Sequence, residues 1–240
     1  MKKRIAGFVA LALCAACAPP TAEAPEGTAT PEMSEAANAA VEAWRQAVAD
    51  AREEHPYGPE GAPWNELETR FWADVTGRNA LVEIMKGDLA PEDREQALAE
   101  VWNDLNAIDA ANTDYVKSQI PAEGWPKISE LGFIPSGFVW LLVQHSPDHE
   151  FQADALARME PLLAEGEVHR QNYAYLYDRV EMHAGRPQLY GSQARCSKDG
   201  DGVLEFYQIE DRKHVDERRA EMGLEPLAEY AERFGVSDPC

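Results

Sequence analysis

Between Pro91 and Pro121 the chain places apolar side chains at three- and four-residue steps, and this stretch constrains its fold more than any other. Leu98, Val101, Trp102, Leu105 and Ile108 recur with the helical period. The pattern runs on through Tyr115 and Val116 to Ile120, where Pro121 stops it. Pro91 stands where a helix-start proline belongs. Glu92 and Asp93 follow in the first turn, where the helix dipole favours carboxylates.

The same period recurs on both sides. Ser34 can cap a helix in which Val41, Trp44 and Val48 share a face. Pro56, Gly58, Pro59, Gly61 and Pro63 break the chain. A second helical pattern starts near Trp64 and carries Leu67, Phe71, Trp72 and Val75, then Leu81, Ile84 and Met85. Past the Gly124-Trp125-Pro126 turn, Phe138–Val143 is almost wholly apolar and predicts a buried helix. Further helices are expected over about 149–164, 168–184, 211–221 and 226–234. Only Gln188–Gln193 and Val203–Gln208 read as strands, joined by the turn-rich Lys198-Asp199-Gly200-Asp201-Gly202. The expected fold is mainly α, a multi-helix globular domain with one small β-hairpin.

The N-terminus reads as an export signal. Met1-Lys2-Lys3-Arg4 is cationic, and Ile5 to Ala16 carry no charge. That run is too short to span a bilayer as a helix and has the length of a signal-peptide core. Cys14-Ala15-Ala16-Cys17 has the small residues that precede a lipidated cysteine, although Leu is usual where Cys14 stands. The expectation is a lipoprotein-type signal over 1–16 with lipid on Cys17. The alternative is ordinary cleavage and a soluble periplasmic or secreted protein. Ala18 in place of an aspartate resembles Gram-negative lipoproteins sent to the outer membrane. Two acyl chains hold a protein stably where one does not. Residues 17–31 then form the lipidated cysteine and a tether of Pro, Ala, Thr and Glu, fourteen of which reach roughly 45–50 Å when extended. Residues 32–240 have the length of one domain with a real core.

The charge balance excludes one class of partner. Without Lys2, Lys3 and Arg4 the 22 basic residues fall to 19 against 43 acidic ones, a net charge of −24. Such a surface repels phosphate backbones, so no nucleic-acid partner is expected. It repels anionic lipid as well, so a membrane contact would run through the N-terminal lipid. With Cys14 removed and Cys17 acylated, Cys196 and Cys240 remain as a candidate disulfide in an oxidising compartment. Two free thiols are the other reading, because sequence does not show whether the pair comes within bridging distance.

Few motifs carry chemistry. Asp199-x-Asp201-Gly202 resembles part of a calcium loop, but position twelve would be Gln208 instead of Glu, and a hairpin turn accounts for it. His145 and His149 have the spacing of a helical metal pair, yet Pro147 between them should break the helix. No metal and no cofactor is expected. There is no G-x-S-x-G, P-loop or dinucleotide fingerprint. Gln144-His145 is the more telling pair. It ends a buried apolar run, so its polar atoms need partners inside the protein. The helix over 168–184 brings Tyr175, Asp178 and Arg179 to one face, and Asp178 could orient His145 as a general base. The alternative is a satisfied network that only locks helices together.

These segments resemble an uncharacterised bacterial family, domain of unknown function 6624. The resemblance runs through Gly124-Trp125-Pro126, Leu141–His145, Glu150-Phe151-Gln152 and Gln171–Val180. It continues through Gly185-x-Pro187–Gln193, Val215–Arg219 and Gly223–Tyr230, covering about 91–235. Members commonly have Thr where this chain has Ser192. The family implies no activity. Three readings follow. The first is a lipid-anchored envelope protein that binds an envelope protein, a peptide or a cell-wall ligand in a polar cleft near His145. In that cleft Gln144, Arg179, Gln188, Tyr190 and Gln193 would contact the ligand. The second is an envelope hydrolase with His145 as base and Asp178 orienting it. The third is a scaffold without a ligand.

Overall fold

A computed structural model describes residues 33–197 and 204–233. The signal, lipobox and tether readings, the 198–203 turn and Cys240 lie outside the described residues. Helix α1 spans Glu35–Glu54, α2 Leu67–Lys86 and α3 Pro91–Gln119. After the short α4 (Ile128–Leu131) come α5 (Phe133–Gln144), α6 (His149–Met159) and α7 (Arg170–His183). Strands β1 (Ala194–Cys196) and β2 (Leu204–Phe206) follow, then α8 (Val215–Glu221) and α9 (Leu227–Arg233). The protein is mainly α with one small antiparallel hairpin, as its periodicity predicts. Among the described residues no helix is long and apolar enough to cross a membrane.

Helices α1, α2 and α3 form a three-helix unit around Val41, Trp44, Val48, Leu81, Val101 and Leu105. The Ser34 Oγ accepts from the Ala37 N–H at 3.0 Å and caps α1. Gly77 lets α1 and α2 approach closely. A Cβ there would sit 3.0 Å from the Trp44 ring, whose Nε1–H donates to the Gly77 carbonyl at 2.7 Å. A second core gathers Phe71, Tyr115, Val116, Trp125, Phe138–Val143, Met159 and Leu176 around α5. Helix α3, roughly 43 Å long at its 29 residues, supplies side chains to both cores. Helix α2 is buried on two sides, with Leu81 facing the first core and Leu67 and Phe71 facing the second. That double burial positions the site.

The first strand of the hairpin sits later than its sequence suggests, while the second lies within the expected stretch. Ala194 pairs with Phe206 and Cys196 with Leu204, whereas Gln188–Gln193 is a loop with one parallel bridge from Gln188 to Ile209. Two causes are visible. Gly191 has φ +69°, outside strand geometry. The N–H groups of Leu189, Tyr190 and Ser192 are taken by a carboxylate and not by a partner strand. Cys196 is disulfide-bonded. Cys240, its candidate partner in the sequence, is not among the described residues.

Candidate functional site

Three helices bring four ionisable groups together. Asp74 and Arg78 stand one turn apart on α2, Asp109 lies on α3, and His145 caps the C-terminus of α5. His145 Nδ1 lies 2.8 Å from Asp74 Oδ2 and 3.0 Å from Arg78 Nε. Arg78 Nε is also 3.3 Å from Asp74 Oδ1, and its Nη2 donates to both Asp109 oxygens at 2.6 and 2.7 Å. All four side chains are buried or nearly so.

The protonation pattern follows from the partners. Burial would raise the Asp74 carboxyl, but His145 and Arg78 beside it hold it down, at about 2. An ionised Asp74 can only accept, so Nδ1 carries the ring hydrogen and donates to it. The Arg78 Nε–H is then left to Asp74 Oδ1. Burial, and then the Arg78 cation, push the imidazole down to about 4, against the pull of Asp74. His145 is therefore neutral at pH 7, with its lone pair on Nε2. Burial also pushes Asp109 up, to about 7, with Asp74 adding to the rise and Arg78 opposing it.

Asp74, Arg78 and His145 form the floor of an open cleft of about 750 Å³, with Asp109 held behind Arg78. Phe71, Phe138, Trp140, Leu141 and Tyr175 give it apolar walls, and Gln171, Asn172, Glu225 and Arg233 add polar groups to the lining. At the mouth Phe133 is 67% exposed and Ile134 46%, uncommon for large apolar side chains. No hydrogen bond among the described residues uses His145 Nε2 or Arg78 Nη1, although both residues line the cleft. None of the lining residues is Ser, Thr or Cys. His169 closes one side. Its Nε2 lies 2.8 Å from the Phe133 carbonyl and 3.0 Å from Ser136 Oγ, and its ring meets the Phe133 ring edge-on at 4.1 Å.

Of the candidate site residues expected from sequence, His145 alone lines the cleft. Its orienting carboxylate is Asp74, not Asp178. Asp178 faces the loop after α7, where Oδ1 accepts from the N–H of Leu189 (2.8 Å) and Tyr190 (3.0 Å) and Oδ2 from that of Ser192 (2.8 Å). Burial raises its carboxyl to about 6 against these donors. Gln188 and Gln193 complete the same clasp. The Gln188 amide accepts from the Gln193 N–H at 2.9 Å and donates to the Gln193 and Tyr207 carbonyls. The Gln193 side chain donates to Ser192 Oγ at 3.0 Å. The Tyr190 carbonyl accepts from Arg219 at 2.7 Å. Arg179 is buried on α7, and its charge helps to hold the His145 imidazole low. Gln144 is buried, and neither of its amide atoms has a hydrogen-bond partner among the described residues.

His149 does not join His145. It stacks on His183 at 3.5 Å between ring centroids. Among the described residues no group of three His, Cys, Asp or Glu is placed to hold a metal ion. Asp74, Arg78 and Asp109 are not among the residues that the sequence patterns single out. Their signal was faint but present: a charged pair four residues apart, inside a helix whose neighbours Phe71, Val75 and Leu81 are apolar on more than one side.

A family model described as a family of unknown function, DUF6624, matches residues 81–236. No curated protein and no solved structure matches the chain. The match takes in Asp109 and His145 but begins after Asp74 and Arg78.

Proposed function

We propose, for a chain that belongs to the family of unknown function DUF6624, that the cleft is a hydrolytic site in which His145 acts as general base on water. One observation carries this reading. His145 has Nδ1 bonded to Asp74, while Nε2 has no partner among the described residues and the residue lines an open cleft. A histidine that merely ties helices together would have both nitrogens satisfied.

The chemistry balances without a protein nucleophile, and none of the usual ones lines the cleft. A water hydrogen-bonded to Nε2 attacks a carbonyl carbon whose oxygen lies at the Arg78 Nη1 hydrogens. As the water oxygen bonds to carbon, one water proton passes to Nε2, and Asp74 stabilises the imidazolium. Collapse of the tetrahedral intermediate breaks the bond to the leaving alcohol, which takes that proton back. The products are an acid and an alcohol.

The test is turnover of a panel of chromogenic esters, thioesters and anilides. His145→Gln, which can still donate to Asp74, should lower kcat/KM by about 10²- to 10⁴-fold with the circular dichroism unchanged. A base must be unprotonated, so wild-type kcat/KM should fall as pH drops through about 4 and stay level to neutral pH. Equal rates in the variant and the wild type would refute the role of His145. A protein that binds these compounds without turning any over would instead be the binding protein of the first reading.

The location is part of the same proposal. The charge-free run before Cys17 supports lipidation there, and the acidic body offers no electrostatic attraction to anionic lipid. Mass spectrometry of the mature N-terminus should find a diacylated Cys17. An unacylated chain starting elsewhere rules the anchor out.

A further inference from the structure

The cleft also carries information about what it takes. Its floor and its walls differ in kind. At the floor Arg78 contributes one positive charge, against Asp74 and the Asp109 behind it, while the other charged lining residues, Glu225 and Arg233, pair with each other. When Asp109 is ionised the floor is net negative, and when it is protonated the floor is neutral. In neither state does it attract an anion, and the chain around it carries a formal charge of −21. The free donor capacity of Arg78 Nη1 therefore suits a neutral oxygen, such as a carbonyl, better than a carboxylate or phosphate. The walls are aromatic and aliphatic, and they continue outward onto the exposed Phe133 and Ile134. A ligand that satisfies both ends has a neutral polar head and an apolar body several carbons long.

We infer that the cleft takes a neutral acyl ester, its carbonyl at Arg78 and its chain along Phe71, Phe138, Trp140 and Leu141 towards Ile134. This rests on the hydrolytic reading for the choice of ester among neutral carbonyl compounds. Hydrolysis of such a substrate leaves a carboxylate beside Asp74. The floor that accepts the ester repels the acid, and the product leaves.

Gly137 supplies a way to close the cleft without disturbing the core. It lines the cavity, and a Cβ built on it meets nothing nearer than Asn172 Nδ2 and His169 Nε2 at 4.0 Å. Gly137→Leu should therefore fill the cavity while leaving the helix sound, since leucine is the better helix former.

The experiment measures binding apart from turnover, with methyl ketones as esters that cannot be hydrolysed. Calorimetric titration of 2-hexanone, 2-octanone and 2-decanone should show affinity rising about fourfold per methylene. Decanoate at pH 8 should bind at least about tenfold more weakly than 2-decanone. Gly137→Leu should abolish ketone binding at unchanged melting temperature, and His145→Gln should keep it. Affinity that ignores chain length, decanoate binding as tightly as the ketone, or binding that survives Gly137→Leu would each overturn the inference. Ketone binding as expected with no ester turnover leaves this inference standing and removes the hydrolytic reading. Turnover of acetate and octanoate esters at equal rates does the reverse. Presenting 2-decanone in phosphatidylcholine vesicles separates the sources. Tighter capture from vesicles, lost in Ile134→Asp, assigns a membrane-borne ester, and no gain assigns one taken from water.

Discussion

Replacing Arg78 with methionine should destabilise the protein by about 3–5 kcal/mol at pH 8, the usual cost of removing one partner from a buried ionic cluster. Methionine matches the arginine stem in bulk, so little of this loss comes from a cavity. The cost lies in Asp74 and Asp109, which would be left buried without their cation. The sign of the pH dependence tests that cause. Stranded carboxylates have raised folded-state pKa values, and an acid raised on folding stabilises at low pH and loses that contribution as pH rises. The Arg78→Met deficit should therefore shrink when urea unfolding is repeated at pH 5. Wild-type Asp109, pushed up to about 7, makes the same kind of contribution between about pH 4 and 7. His145 opposes it. Its folded value near 4 lies below the ordinary histidine value, so its contribution grows as pH rises from about 4 to 6.5. A deficit in Arg78→Met that is the same at both pH values would mean that lost packing, and not stranded charge, is responsible.

Asp178→Ala is the second large effect, expected at about 3 kcal/mol or more. Three backbone N–H groups, of Leu189, Tyr190 and Ser192, would lose their acceptor, and each buried orphan costs about 1–3 kcal/mol. Asp178→Asn keeps one acceptor oxygen and should cost less. Hydrogen exchange at those three amides gives a local readout, with protection lost first in the variant. Asp74→Asn should behave differently. It keeps the volume but spoils the orientation of His145, so ester turnover should drop further than stability does. If Asp178→Asn instead lowered turnover at unchanged stability and exchange, Asp178 would regain the role that sequence assigned to it.

The contrast between the two aspartates shows how far the residues could be read. Helices α1 and α3 are legible from their apolar period and their marked ends, at Ser34, Pro91 and Pro121, and α5 from its unbroken apolar run. Such signals are local. His145 stood out for a local reason as well, a polar residue closing a buried apolar run. Its partner was not legible, because Asp74 lies 71 positions away and nothing in the intervening chain specifies that α2 packs its Asp74 face on α5. The sequence puts Asp178 on a helix with Tyr175 and Arg179, and α7 carries all three. Which way a buried carboxylate points depends on the nearest unpaired amides. Those belong to a loop that sequence alternation had read as a strand. The Gly191 backbone, at φ +69°, is what breaks that alternation.

Helix α2 has a practical consequence for anyone who would isolate the family region. An excision at residue 81, where the match begins, cuts through the middle of this helix. The shortened chain would keep His145 and Asp109 but lose both groups that hold them, and it would bare the α3 face that Val41, Trp44 and Val48 now cover with their neighbours. The smallest working unit therefore reaches back to Ser34, whose hydroxyl closes the first turn of α1.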